Sequence, residues 1–184
     1  EDGIRKAEIE RTLLAEASRG FPVSILHPGH ITGPGWAPIN PAGNLDPAVF
    51  ENLAAGKRVV LPDDGSATLQ HVHADDVAQA FELAIAQRES AVGQSFHVAA
   101  REPVAMLDFA RAAASWFGRE AVIDFVPLSE IDSEYGERDA ALTRDHAIHS
   151  PFASIAKAES VLGFAPAWTA VEAARDAVLA RRGS

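Results

Sequence analysis

The amino-acid sequence predicts an α/β fold with a largely parallel sheet. Segments with apolar residues at helical spacing alternate with short apolar runs rich in β-branched residues, which is typical of such folds. The 184 residues suit one domain, and they can bury a hydrophobic core. Hydrophobic residues make up 47% of the chain and charged residues 23%, as in ordinary globular domains.

The first third of the chain is predicted to hold a helix, a strand, a loop and a second helix. The first helix ends at Gly20, after apolar residues at helical spacing. Residues 21–26 form a buried strand, and residues 27–44 form a long loop because they contain four Gly and four Pro. The second helix starts at Asp46 and Pro47 and ends at Gly56.

The remaining strands and helices alternate after that point. The predicted strands are residues 58–61, 69–73, 95–98 and 122–126. One predicted helix follows Asp75, which caps it, and two more span residues 105–117 and 154–162. The last predicted helix begins at the capping box formed by Thr169 and Glu172. The helix after Asp75 is predicted to bury one apolar face, made of Val77, Ala80, Phe81, Ala84 and Ile85. No element is assigned to residues 129–150.

Charge and composition exclude several classes of protein. The net charge of −10 predicts no sequence-independent binding to nucleic acid, which needs clustered Lys and Arg. No apolar run approaches the ~20 residues that span a bilayer, so no membrane association is expected. The chain has no cysteine, which excludes disulfides and thiolate metal sites. We therefore expect a cytoplasmic location.

Three segments, in this order and at this spacing, resemble the extended short-chain dehydrogenase/reductase family of the NAD-dependent epimerase/dehydratase type. They are residues 3–8, 27–35 and 71–78, and weaker matches follow at 93–98 and 157–166. The resemblance implies the C-terminal half of a Rossmann-like doubly wound parallel sheet plus a small α/β substrate-binding region. No Gly-x-Gly-x-x-Gly motif occurs in the 184 residues, so the N-terminal dinucleotide-binding half is expected to be absent.

The same resemblance divides the chain, within one α/β unit over 1–184, into functional portions. Residues 1–34 and 58–98 correspond to late Rossmann-type elements, and residues 35–57 and 99–166 to the substrate-binding portion. Residues 167–184 correspond to a C-terminal helix.

Lys6 is the predicted catalytic residue. In the family, a Tyr-x-x-x-Lys motif occupies this helix, and its Lys holds the nicotinamide ribose and lowers the pKa of the Tyr. Asp2 stands where the Tyr is expected, and an aspartate, already ionised at neutral pH, is a poor proton donor. Either Asp2 does not directly precede Gly3 in the parent protein, or the acid has been lost. Tyr135, the only tyrosine, does not have the required spacing.

The loop after the first strand is the predicted ligand-binding loop. The family usually reads Arg-Pro-x-Asn-Val-Tyr-Gly-Pro here, with His27 in place of the Arg. The resemblance assigns cofactor contact to Pro28, Gly29 and Ile31, together with Lys6, and assigns substrate contact to His30. Two further loop residues are candidates for lining the substrate pocket: Trp36 and Asn40.

His73 is a further candidate for substrate contact, because the family has Tyr or His at this position. His71 and His73 lie on one strand face, so a metal site with Asp75 or Asp76 is an alternative. We predict no metal, because helix-start roles explain both aspartates. Leu69 stands where family members acting on nucleotide sugars carry a phosphate-binding Arg.

The resemblance implies a parent enzyme that uses NAD or NADP for hydride transfer at a hydroxyl or carbonyl carbon of a sugar-like small molecule. It also implies a homodimer through the first helix, and weak cofactor binding by this chain without the missing N-terminal segment. Two alternatives stay open. One is a non-catalytic ligand- or partner-binding relative, and the other is a metal-dependent hydrolase.

Overall fold

The computed structural model describes residues 2–183, and among their side chains those of residues 3–182. The helices are α1 Asp2–Ala17, α2 Ala48–Ala55, α3 Ala74–Ala86, α4 Arg88–Ala91, α5 Met106–Ser115, α6 Glu137–His149, α7 Ala156–Leu162 and α8 Ala170–Gly183. The strands are β1 Ile25–Pro28, β2 His30–Thr32, β3 Arg58–Pro62, β4 Thr68–Leu69, β5 His71–His73, β6 Ser95–Val98, β7 Val104–Ala105 and β8 Val122–Val126. A 3₁₀ helix covers Leu128–Ser133.

The strand pairing confirms the predicted α/β class with largely parallel strands. The pairs β1–β6, β2–β5 and β3–β8 are parallel, and β4–β7 is antiparallel. Parallel pairs need crossover connections, and helices of the chain provide them. The carboxyl ends of β2 and β5 therefore lie side by side, and the carboxyl end of β1 leads through Gly29 into β2.

Several local signals act as the sequence predicts. The Asp46 carboxylate accepts a hydrogen bond from the Ala48 amide at 2.9 Å, and α2 ends at Gly56 with φ of 67°. At the start of α8, Thr169 and Glu172 form the reciprocal bonds of a capping box. The strand β8 has the predicted bounds.

The first predicted strand and the loop predicted after it were wrong in extent. The predicted strand at 21–26 is observed at Ile25–Pro28, because its partner β6 begins opposite Ile25 and the chain before β6 is a turn. The predicted loop at 27–44 contains β2, which pairs with β5 far along the chain. Gly and Pro density therefore indicates the loop but does not reveal a short strand within it.

The start of α3 also differs from the prediction. His73, rather than Asp75, is the N-cap, and its Nδ1 accepts a hydrogen bond from the Asp75 amide at 3.1 Å. The predicted apolar face is only partly buried, because Phe81 and Ile85 are 56% and 75% exposed. The predicted strand at 69–73 is divided at Gln70, whose side chain bonds the backbone of Ala100 and Ala153.

Two main hydrophobic clusters make the core. One packs α2, β3, α5 and α8 together, and the other packs β6, α3 and α7. Residues 155–164 belong to the second cluster, with the Rossmann-type elements, although the sequence-based division into portions stays a prediction. Across residues 2–183, no helix combines the length and apolar character needed to cross a membrane.

Candidate functional site

The candidate site lies on one face of the β2–β5 pair. His30 is opposite His71 in the parallel register, and Thr32 is opposite His73. Because side chains alternate along a strand, these four point to the same face, while Ile31 points to the opposite face and packs against the second core cluster. His30 and His71 begin these two strands, and Thr32 and His73 end them.

Three histidines from distant parts of the chain meet there. The His30 ring centroid is 4.6 Å from that of His146 on α6 and 5.8 Å from that of His71. His71 is fully buried and His146 is 7% exposed. Gly43 permits this approach, because a Cβ on it would lie 2.8 Å from the Met106 side chain and 3.3 Å from the His146 Cβ.

Backbone carbonyls fix the tautomers of two of these rings. The Nε2 of His71 donates to the Ile39 carbonyl at 3.0 Å, and the Nδ1 of His146 donates to the Gly43 carbonyl at 2.7 Å. The other nitrogen of each ring is therefore an acceptor while the ring is neutral. The Nδ1 of His71 and the hydroxyl of Thr32 are buried without a partner among residues 2–183.

Burial keeps two rings of the cluster neutral. It is the first cause lowering the pKa of His30 to about 4, followed by the charge of His146, while Asp145 opposes the shift. Burial also lowers the pKa of His71 to about 3, followed by the charge of His30. His30 and His71 are thus uncharged at neutral pH and can accept hydrogen bonds.

His73 lies apart from this cluster, under α8. Its ring stacks on Trp168 with centroids 4.2 Å apart, and its Nε2 lies 3.2 Å from Asp176 Oδ2. Its Nδ1 caps α3, so both nitrogens are already engaged.

The metal alternative gains no support, since no group of three or more potential ligands is found within residues 2–183. Substrate contact by His73 stays a prediction.

The two other candidates for substrate contact differ in environment. Asn40 is buried, and its amide organises the loop by bonding Asn44 Oδ1 at 2.5 Å, the Asp46 carbonyl at 2.9 Å and the Ala42 amide at 2.9 Å. Trp36 is 52% exposed. Asn40 therefore positions the loop over the histidine cluster, whereas Trp36 is available to a ligand. Both substrate roles stay predictions.

The first helix presents Lys6 on an exposed surface. The side chain of Asp2, the residue in the expected Tyr position, lies outside the described residues. Tyr135 is no substitute for the missing acid: its hydroxyl donates to the Val60 carbonyl at 2.7 Å, and burial raises its pKa well above the usual value. Because Tyr135 is the only tyrosine in the sequence, no tyrosine of these 184 residues takes the place expected for the proton donor.

The residues predicted to contact the cofactor fit its nicotinamide end only in part. Pro28 is exposed, and Gly29 must be glycine because a Cβ there would lie 2.6 Å from the Gln70 carbonyl. Close packing against the Gln70 backbone is therefore sufficient to explain why residue 29 is a glycine. The 184 residues contain no Gly-rich motif of the kind that binds a dinucleotide pyrophosphate.

His146 is the member of the cluster that sequence reasoning missed. It belongs to residues 129–150, whose polar composition gave no periodic signal. The helix α6 is held to the loop by Asn44 Nδ2, which donates to Thr143 at 3.0 Å, and by Asp139, which accepts from the Leu45 amide. A preference for helix in this segment would not have shown that His146 meets His30.

A parallel α/β sheet with a polar cluster at its strand ends defines a Rossmann-type ligand-binding fold. Family comparison places it further: the model of the NAD dependent epimerase/dehydratase family matches residues 3–99, which are more than half of the chain. The chain belongs to this family, as the sequence resemblance predicted.

Individual relatives agree with that assignment. The chain is 29% identical over 173 residues to the chloroplast stem-loop binding protein of 41 kDa b from Arabidopsis thaliana, covering 93% of the chain and 42% of that protein. It is 27% identical over 149 residues to dTDP-L-rhamnose 4-epimerase from Burkholderia thailandensis, covering 80% of the chain and 36% of that protein. The chain thus spans less than half of these relatives.

Solved structures share the fold. The epimerase Mth375 from Methanothermobacter thermautotrophicus matches with a TM-score of 0.68 and 17% identity, over 95% of this chain and 47% of that one. UDP-glucuronic acid 4-epimerase from Bacillus cereus, solved with UDP-glucuronic acid and NAD, matches with a TM-score of 0.63 and 16% identity, over 89% and 46%. At these identities the match shows the fold alone, the Rossmann-type fold that the sequence predicted.

Proposed function

We propose that this chain is the substrate-binding, C-terminal portion of an NAD(P)-dependent epimerase, dehydratase or reductase that acts on a hydroxyl-bearing, sugar-like molecule. The observation that carries the proposal is the cluster of His30, His71 and His146 at the strand ends of a fold of this family. The cofactor, NAD or NADP, supplies the hydride chemistry when bound by the complete enzyme.

The cluster suits hydroxyl groups for electrostatic reasons. A neutral imidazole with a free lone pair accepts a hydrogen bond from a hydroxyl without needing a counter-ion. No hydrogen bond joins the His30 ring to another residue within 2–183, and the backbone bond of His146 leaves its Nε2 as an acceptor. The nearest charge acting on His30, apart from His146, is the carboxylate of Asp145. A phosphate group would be poorly accommodated at this point.

Lys6, Pro28, Gly29 and Ile31 are proposed to border the nicotinamide end of the cofactor. In this arrangement the ammonium group of Lys6 orients the ribose. The binding loop from Gly33 to Asn44, held by Asn40, closes the substrate side.

Substitution at the cluster tests the proposal in the intact protein that contains this chain. With a nucleotide-sugar panel and NAD or NADP, His30→Ala and His146→Ala should each raise KM for substrate about tenfold, as expected for one lost hydrogen bond of ~1.4 kcal/mol. His149→Ala is the matched control, because His149 is an exposed residue of the same helix. Unchanged KM in both cluster variants would contradict the proposal.

A non-catalytic binding relative is the second candidate. Asp2 stands in the expected Tyr position, and one relative carries the name of a stem-loop binding protein. A gel-shift titration with stem-loop RNA at low salt separates the two. The net charge of −10 predicts no shift, whereas salt-sensitive binding would favour the second candidate.

A further inference from the structure

The first helix is attached to the rest of the chain through its C-terminal half. Residues 3–9 are exposed on all sides, and Ile4 and Ile9 are 66% and 58% exposed. Partial burial begins at Glu10 and continues at Leu13 and Leu14. Burial of α1 side chains against the rest of the chain therefore begins at Glu10.

Glu10 is the polar contact that joins the helix to the sheet. Its Oε1 lies 3.2 Å from Nε2 of His27 on β1. Hydrogen bonding to Ser95, first, and to His27, second, lowers the pKa of the Glu10 carboxyl. The carboxylate thus reaches both strands of the β1–β6 pair.

A second histidine completes the arrangement. His27 is opposite His97 in the parallel register, their ring centroids are 5.8 Å apart, and His97 also favours the charged form of Glu10. The elements that meet here are α1, β1 and β6, and their titratable groups facing one another are Glu10, His27 and His97. On the helix face of Glu10, Lys6 is the charged neighbour, one turn earlier.

We propose that Glu10 is a positioning residue that, through His27, fixes α1 on the β1–β6 strands, and that protonation of His27 strengthens this attachment. A bond from a neutral imidazole to a carboxylate becomes a charge-assisted ion pair when the ring gains a proton. The role proposed for the neighbouring Lys6 rests on the proposed function; the attachment of the helix does not.

The attachment therefore has a defined pH dependence. Glu10 stays ionised in weakly acidic solution because its pKa is lowered, whereas histidine is the residue type that gains a proton in that range. Helix α1 should be held more firmly at pH ~5.5 than at pH ~8. Both side chains are partly exposed, at 38% for His27 and 27% for Glu10, so the effect is modest.

Hydrogen exchange of peptides from α1, in the intact protein that contains this chain, tests the proposal. After correction for intrinsic rates, exchange in the wild type should be about two- to fivefold slower at pH ~5.5 than at pH ~8, the range of a partly exposed ion pair. Glu10→Gln should speed exchange and remove this dependence. Glu8→Gln, at an exposed position of the same helix, should behave as the wild type.

His27→Arg provides the conservative test, because it supplies a cation at every pH. The variant should keep α1 protected and lose the pH dependence. The proposal is overturned if Glu10→Gln exchanges like Glu8→Gln, or if His27→Arg retains the wild-type pH dependence. The exchange measurement needs neither cofactor nor substrate. If exchange follows these expectations and the protein shows no dehydrogenase or epimerase activity, the proposed function is contradicted and the attachment of α1 through Glu10 is not.

Discussion

At the scale of single residues, histidine is the side chain that gives this chain its chemical character. His30 and His71, which burial keeps neutral, meet His146 in a cluster suited to hydrogen bonding, whereas His73 is committed to capping α3 and to contacts with α8. The residue type alone did not distinguish these roles. The distinction comes from which nitrogens are engaged by the backbone, which only the three-dimensional structure supplies.

The neutral cluster predicts an acid-sensitive fold. Folding lowers the pKa of His30 to about 4 and that of His71 to about 3, so the unfolded chain binds more protons than the native state below pH ~6.5. The free energy of unfolding should therefore fall as the pH decreases from about 6.5 towards 4. His30→Asn should reduce that slope by up to ~1.4 kcal/mol per pH unit, one proton's worth, in denaturant titrations. A slope as steep in His30→Asn as in the control His149→Asn would show that His30 is not buried neutral.

At the scale of elements, the sequence predicted those whose signals are local. The cap at Asp46, the capping box at Thr169 and the glycine at the end of α2 are read from neighbouring residues, and each is confirmed. The strand β2 and the helix α6 were not predicted, because their stability depends on partners far along the chain. The same limit applies to the site: His30 could be predicted, and its contact with His146 could not.

The junction between α3 and α8 depends on one buried carboxylate. Asp76 is 2% exposed and accepts hydrogen bonds from the amides of Ala167 at 2.8 Å and Trp168 at 3.3 Å. Asp76→Ala should leave both amides without a partner and destabilise the fold by ~2–4 kcal/mol, measured by urea unfolding. Glu82→Ala, at an exposed position of α3, is the control and should change stability by less than ~0.5 kcal/mol. Equal stability of the two variants would refute the role of Asp76.

The exposed apolar side chains of α1 predict self-association of the protein that contains this chain. Ile4 and Ile9 are uncovered by residues 2–183, and a symmetric dimer would bury them in an isologous interface. Ile9→Glu should convert the dimer to a monomer in light scattering, because it places a charge in that interface. Leu13→Glu should also disrupt it, but Leu13 is partly buried within the chain. Ile148→Glu, at a 68% exposed position of α6, should leave the dimer intact; a monomeric wild type would contradict the assembly.

At the scale of the whole molecule, the chain has the fold of its family and spans less than half of the length of its curated relatives. Its histidine cluster and its loop are complete within residues 2–183, whereas the Gly-rich cradle for a dinucleotide does not occur in the sequence. We therefore propose that the substrate-binding groups lie in this chain, and that another portion of the intact protein binds the cofactor pyrophosphate while Lys6 contacts the ribose.

Calorimetric titration of NAD and NADP into the folded 184-residue chain tests that separation most directly. Because the pyrophosphate cradle is absent, neither nucleotide should bind with micromolar affinity. In the protein that also carries a dinucleotide-binding portion, binding should appear, and Lys6→Ala should weaken it by about tenfold, equivalent to ~1.4 kcal/mol. Micromolar binding by the chain alone would contradict the proposed division between substrate and cofactor portions, and cofactor binding that ignores Lys6→Ala would contradict the proposed role of Lys6.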